Sequence, residues 1–275
     1  MELPRSNWRL IKTPPASGAW NMAVDEAILQ AVGRQEVPPT LRLYSWDPPC
    51  LSLGYAQSYK DVHENALSSN GWEVVRRVTG GRAILHTDEL TYSVIGPKTE
   101  PRLEGGILTS YQRLSQALML TLENLKLSVK ALPKEKTPSD SGYDPVCFDV
   151  PSHYEITIDG KKLVGSAQAR RKEGVLQHGT LPLSGDLTRI TQALVYQEED
   201  KRNSAAEKLL ARATIIEYAL GQKITWEDAA NAMESAFSKE LNIQFTQSEL
   251  THAEIDQSEI LVTEKYGNPE WNQKI

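Results

Sequence analysis

The sequence predicts an α+β (α/β) fold closed by a helical C-terminal part. Two observations carry this. Short strand-like runs bounded by Gly, Pro and Asp recur from residue 40 to residue 183, with few helical stretches between them. From Asp186 onward the apolar spacing is helical, and strands first with helices last is the α+β order. The 275 residues, 40% apolar and 24% charged, allow one large domain or two small ones. No apolar run reaches the ~18 residues a membrane span needs.

Ser17–Leu29 opens with polar starters and carries apolar residues at helical spacing, so it reads as a helix. Strands are expected at Thr40–Trp46 and Cys50–Tyr55, split by Asp47-Pro48-Pro49. A short helix at Asp61–Leu67 leads to a strand at Trp72–Val78. Ala83–His86 and a strand at Leu90–Ile95 follow two glycines. Ile107–Leu125 has the pattern of a longer amphipathic helix and Leu127–Leu132 that of a strand. Residues 133–146 have no periodicity and read as a mobile loop ending at Cys147. A meander comes next: Tyr154–Ile158, an Asp159-Gly160 turn, Lys161–Arg171, a Glu173-Gly174 turn, and Val175–Leu183. Helices are expected near Asp186–Leu194, Ser204–Leu220, Thr225–Leu241 and Thr251–Tyr266.

Composition excludes several classes. A formal charge of −6 argues against nucleic acid as the main partner. The N-terminus lacks an apolar signal core, and two cysteines are too few for a disulfide scaffold, so a cytoplasmic protein is expected. The five histidines form no metal-ligand spacing, and no metal is expected. There is no Walker A loop, no Gly-x-Ser-x-Gly elbow and no dinucleotide fingerprint, and no cofactor is expected.

The chemistry-bearing segment is Cys147 followed by a lysine hairpin, Asp159-Gly160-Lys161-Lys162-Leu163-Val164-Gly165-Ser166-Ala167-Gln168. A free thiol is only ~3% thiolate at pH 7, and a nearby ammonium raises that fraction. A lone cysteine is usually a small buried hydrophobe, but Cys147 follows a polar loop rather than sitting in an apolar strand. Cys50, among apolar neighbours, reads as structural. Lys161 and Lys162 lie on one expected strand and face opposite sides, and alternation alone does not choose between them. A second segment, Arg76-Arg77-Val78-Thr79-Gly80-Gly81-Arg82-Ala83-Ile84-Leu85-His86, places two glycines after a strand. Backbone there can approach a ligand, or the stretch is a tight turn with solvated arginines.

Taken in order, these segments resemble the octanoyl-carrier-protein:protein octanoyltransferases of the lipoate/biotin-protein ligase superfamily. The resemblance also runs through Asn21–Ala27, Leu51–Tyr55, Glu89–Val94, Gln177-His178-Gly179-Thr180 and Glu264–Tyr266. It implies a ligase-like catalytic domain of mixed sheets flanked by helices: an N-terminal helix in residues 1–34, a catalytic domain at 35–245 and a helical tail at 246–275. It implies an acyl-thioester at Cys147 and selects Lys162 as its partner. Gly80, Gly81, Gly165, Ser166 and Ala167 would give backbone amides and room for the acyl chain, with Arg76, His86, His178 and Gly179 lining the site. The implied donor is octanoyl-acyl carrier protein. The implied acceptor is a lysine on the lipoyl domain of the glycine-cleavage H protein or a 2-oxoacid dehydrogenase subunit (E2). A monomer is the default expectation. Three alternatives stand beside this reading: an octanoyl-H-protein amidotransferase, an ATP-dependent lipoate ligase and a non-catalytic binder. The ligases usually carry a third glycine where this chain has Arg82, generally lack a cysteine at the position of Cys147, and often append an accessory domain.

Overall fold

The computed structural model describes residues 3–127, 130–133 and 154–275. In chain order the strands are β1 (Ser6–Lys12), β2 (Thr40–Tyr44), β3 (Cys50–Leu53), β4 (Glu73–Arg76), β5 (Ile84–His86) and β6 (Glu89–Gly96). They continue with β7 (Lys130–Pro133), β8 (Tyr154–Ile158), β9 (Lys161–Lys162), β10 (Gly165–Arg170), β11 (Val175–Pro182) and β12 (Ile243–Gln247). The helices are α1 (Gly18–Gly33), α2 (Glu64–Asn70), α3 (Ile107–Asn124), α4 (Glu199–Arg212), α5 (Ile216–Leu220), α6 (Trp226–Glu240), α7 (His252–Leu261) and α8 (Pro269–Asn272). None of the described helices is long and apolar enough to cross a membrane.

The main sheet has the order β10-β11-β6-β2-β1-β12. It is mixed: β1 runs parallel to β2 and β12, and the other pairings are antiparallel. Side chains alternate across it. Trp8, Leu10, Leu41, Leu43, Tyr92 and Val94 point to one face, where Leu114, Leu118, Met233 and Phe237 of α3 and α6 cover them. The opposite face packs under α1 through Ile11, Tyr44 and Ile95 against Met22, Val24 and Ile28. That second face is also where the polar residues gather, with Arg9, Arg42, Thr91, Ser93, His178 and Thr180 all buried. Register aligns two rows across the strands, Arg42-Ser93-His178-Ala167 and Tyr44-Thr91-Thr180-Gly165. A small sheet, β4-β3-β5, and a second one, β7-β8-β9, complete the fold.

The helical C-terminal part and the mixed, helix-flanked sheets are as expected, with three differences. β1 and β12 do not show in the sequence reading, so residues 1–34 bring a sheet strand as well as a helix. The expected strand Lys161–Arg171 is two elements in two sheets, broken at Leu163-Val164. The expected helix Ser204–Leu220 is also two, because Ala213–Ile215 is extended and joins the end of β9 through an Ala213–Lys162 bridge. Cys147 and most of the expected 133–146 loop lie outside the described residues.

Candidate active site

α1 brings the first functional side chain to the sheet. Ser17 caps it, its hydroxyl accepting from the Trp20 N–H. Asn21 and Asp25, one turn apart, then face the row Arg42-Ser93-His178. Asp25 accepts hydrogen bonds from Arg42 Nη1 (2.8 Å), Ser93 Oγ (2.8 Å) and Tyr44 Oη (3.0 Å), with His178 Nδ1 at 3.4 Å. Arg42 Nη2 also donates to Asn21 Oδ1 at 2.7 Å. The Arg42–Asp25 pair is buried, and such a pair is tolerated inside only because each charge is matched and hydrogen-bonded. Burial opposes ionisation of Asp25, but His178 and Arg42 outweigh it and hold its carboxyl below the ordinary carboxylate value.

His178 is the other end of this link. Burial pushes its imidazole below the ordinary value despite Asp25, and Arg77 and His86 add to the push. The neutral ring therefore keeps its proton on Nδ1 toward Asp25 and accepts at Nε2 from the Thr79 hydroxyl, 2.6 Å away.

A second acid–imidazole–hydroxyl chain runs beside it. His86 Nδ1 lies 2.7 Å from Glu89 Oε1, and its Nε2 lies 2.8 Å from Ser52 Oγ. Burial resists the Glu89 charge, and His86, Thr180 and Thr91 overcome that resistance, so this carboxyl also sits below its ordinary value. The Trp46 indole stacks on His86 with ring centres 4.0 Å apart, and its N–H donates to Thr91 Oγ1.

The two chains frame one cavity. Met22, Trp46 and Ile84 form apolar wall, Arg77, His86 and His178 polar wall, and Gly165-Ser166-Ala167 with Gly179 a wall of backbone and small side chains. Gly179 is required: a Cβ there would lie 2.5 Å from Ser166 Oγ and 2.6 Å from the Gly165 carbonyl oxygen. Ser166 in turn shares a 2.7 Å hydrogen bond with Tyr92 Oη.

The glycine turn is held from within by the second arginine. Arg77 Nη2 donates to the carbonyls of Gly80 (2.9 Å) and Arg82 (2.8 Å), and Nη1 to Ser52 Oγ and the Ser52 carbonyl. Gly81 has φ +96, open to glycine at little cost. Gly54 must be glycine for another reason, since a Cβ there would fall 1.9 Å from the Gly81 oxygen. Gly80 and Gly81 border a separate, open concavity rather than this cavity.

The structure thus brings His86, Gly165, Ser166, Ala167, His178 and Gly179 together. Arg76 is a correction: it faces away, and its guanidinium donates to the carbonyls of Gly54, Gln57 and Asn272 between a loop and α8. Arg77, the residue just after β4, points to the inward side instead. Lys162 is buried on β9, whereas Lys161 is exposed and donates to the Leu210 carbonyl. Sequence reasoning missed Asp25, Ser52, Arg77, Thr79 and Glu89 as site residues. Asn21 and Asp25 at helical i,i+4 spacing within a largely apolar helix were the available signal; the others are joined only by pairing between strands.

The lipoyl protein ligase A/B catalytic domain model matches residues 17–238, and the chain belongs to that family. Among named relatives, octanoyltransferase LipM of Symbiobacterium thermophilum is 37% identical over 273 residues, 98% of this chain and 99% of the relative. Octanoyltransferase LipM of Bacillus subtilis is 35% identical over 277 residues, covering 99% of this chain and all (100%) of the relative. The bi-partite lipoate protein ligase of Thermoplasma acidophilum shares the fold with a TM-score of 0.80 at 24% identity, covering 98% of this chain and 97% of that one. A lipoate-protein ligase A solved with ATP superposes with a TM-score of 0.78 at 25% identity, over 98% and 99% of the two chains.

Proposed function

We propose that this chain is an acyltransferase that moves an octanoyl group from acyl carrier protein, through a thioester on Cys147, to a lysine of a lipoyl domain in lipoate biosynthesis. The observation that carries this reading is the cavity. It is lined in part by apolar and in part by hydrogen-bonding side chains, the mixed lining of a small-ligand site. The buried Lys162 is three residues before its Gly165 wall. The LipM names of full-length relatives support octanoyl as the group carried. Burying the chain's six methylenes at ~0.8 kcal/mol each is worth ~5 kcal/mol before ordering costs.

In the first step the Cys147 thiolate attacks the donor carbonyl. Its sulfur–carbon bond forms, the carrier's carbon–sulfur bond breaks, and the carrier leaves as a thiolate that takes up a proton. In the second step the acceptor lysine amine attacks the Cys147 thioester. An amide forms, the amine gives up a proton, and Cys147 is released. The Lys162 ammonium favours the thiolate in both steps and polarises the carbonyl. The cavity's own residues position rather than react. Asp25 and Glu89 fix the rings of His178 and His86, and the Arg77-braced turn keeps the wall in place. No activation by ATP is required, since the donor is already a thioester.

The experiment supplies a lipoyl domain and compares three donors: octanoyl-carrier protein without ATP, octanoyl-H protein without ATP, and octanoate with ATP. Turnover on the first alone is the expected result. Turnover on the second alone would make the enzyme an amidotransferase, and dependence on ATP a ligase.

A further inference from the structure

On the outer side of the glycine turn lies a second depression, an open concavity of about 330 Å³ lined by Tyr55, Gly80, Gly81, Gln168, Arg170 and Arg171 among others. Its charge is one-sided. No carboxylate is among its described lining residues, in a chain whose formal charge is −6. Arg171 lies over the Tyr55 ring at 5.5 Å, and Lys274 over the same ring at 3.6 Å. The tail supplies Lys274, which also sits 3.6 Å from the Trp271 ring centre. Desolvation first, and then the charges of Arg76, Lys265 and Arg171, make the Lys274 ammonium harder to keep protonated. Of these neighbours Lys265 is paired with Glu26, and the Arg76 guanidinium is taken up by carbonyls. Arg171 gives a hydrogen bond from Nη2 to the Val78 carbonyl at 3.3 Å, and it stands with Lys274 on one aromatic ring, an arrangement that a bound anion relieves.

The concavity is joined to the cavity by two elements. On β10, Ala167 lines the cavity while Gln168, Ala169 and Arg170 line the concavity. Arg77 lines the cavity and holds the Gly80 carbonyl from the inner side of the turn. At the rise of a strand, Arg171 stands ~13 Å along the chain from Ala167. A substrate anchored here would therefore carry its anion on an arm of about that reach, with its acyl end inside.

We infer that this concavity binds the phosphodiester of the prosthetic arm on which the carrier holds its acyl thioester, with Arg171 and Lys274 as the cations that meet it. The inference rests on the donor reading given above and names the part of the donor that is recognised. Backbone at Gly80-Gly81 leaves room for the arm, and nothing lies within 4 Å of where a Gly80 Cβ would stand.

The test uses two small thioesters that differ only in the phosphate, octanoyl-4′-phosphopantetheine and octanoyl-pantetheine, so that protein–protein contacts drop out. The wild-type enzyme should show a KM about tenfold lower for the phosphorylated thioester, the size expected of charge-assisted contacts. In Arg171→Gln/Lys274→Gln that ratio should fall toward one. Lys172→Gln, an exposed cation that neither lines the concavity nor sits on the Tyr55 ring as Lys274 does, should keep it. Equal KM values in the wild type, or a ratio that survives the double substitution, would overturn the inference. If the wild type uses neither thioester and octanoyl-carrier protein fails as well, the donor reading fails by itself; if only the carrier protein works, the donor reading stands. Calorimetry with 4′-phosphopantetheine then decides the site: binding that the double variant loses upholds it, and no binding overturns it.

Discussion

Two residues of the cavity wall have consequences that can be measured singly. Gly179 faces Ser166 and Gly165 so closely that the methyl of Gly179→Ala must displace β10 or the Ser166 hydroxyl. Overpacking of this kind costs ~1–3 kcal/mol. The variant should therefore fold with a lowered Tm and lose at least tenfold in kcat/KM, read by a transfer assay beside a thermal melt. His178 makes a different prediction. Its folded value is depressed, so the native state holds the ring neutral while the unfolded chain takes up a proton below pH ~6.5. More protons are then bound by the unfolded state, and stability falls as pH drops from ~6.5 toward the lower folded value. Asp25 and Glu89, also depressed, give up their contributions only below pH ~4. Urea midpoints from pH 8 to 5 should decline in the wild type and decline less in His178→Gln; parallel curves would show that the ring is not the group titrating.

At the scale of elements, the two arginines that open the glycine segment separate structure from site. Arg76→Met leaves the Gly54, Gln57 and Asn272 carbonyls without their buried donor and should cost at least ~2 kcal/mol in urea unfolding, with transfer by the folded fraction retained. Arg77→Met removes the brace of the turn and should lower kcat more than stability; equal loss of kcat in both variants would contradict this division. The sequence reading took Arg76 and not Arg77 for the site, because which one faces inward depends on how β4 pairs with β3, which the sequence alone does not give. The same limit explains the rest. α1, α3 and the meander were legible because each carries its own period and its own turn signals. β1 was not, because Trp8, Arg9, Leu10 and Ile11 are all buried, so the alternation that marks a half-exposed strand is absent. Lys161 and Lys162 were ambiguous for a comparable reason. The break at Leu163-Val164 moves the chain from one sheet to another, and alternation cannot be carried across it.

Across the whole molecule, the site is built by convergence from distant parts of the chain. α1 gives Asp25, β3 gives Ser52, the turn after β4 gives Arg77 and Thr79, β5 and β6 give His86 and Glu89, and β10 and β11 close the wall. The C-terminal tail, through Asn272 and Trp271, fixes β4 from behind by accepting from Arg76 and donating to its carbonyl. The central claim of the proposed function is that such a frame positions an acyl chain and leaves bond-making to the Cys147 thiol, assisted by the Lys162 ammonium. The most direct measurement is intact mass after mixing the protein with octanoyl-carrier protein in the absence of ATP, alongside Cys147→Ala. The account predicts an octanoyl adduct on the wild type only, discharged when a lipoyl domain is added. An unmodified wild type that nonetheless octanoylates the lipoyl domain, or an adduct that persists in Cys147→Ala, would contradict it.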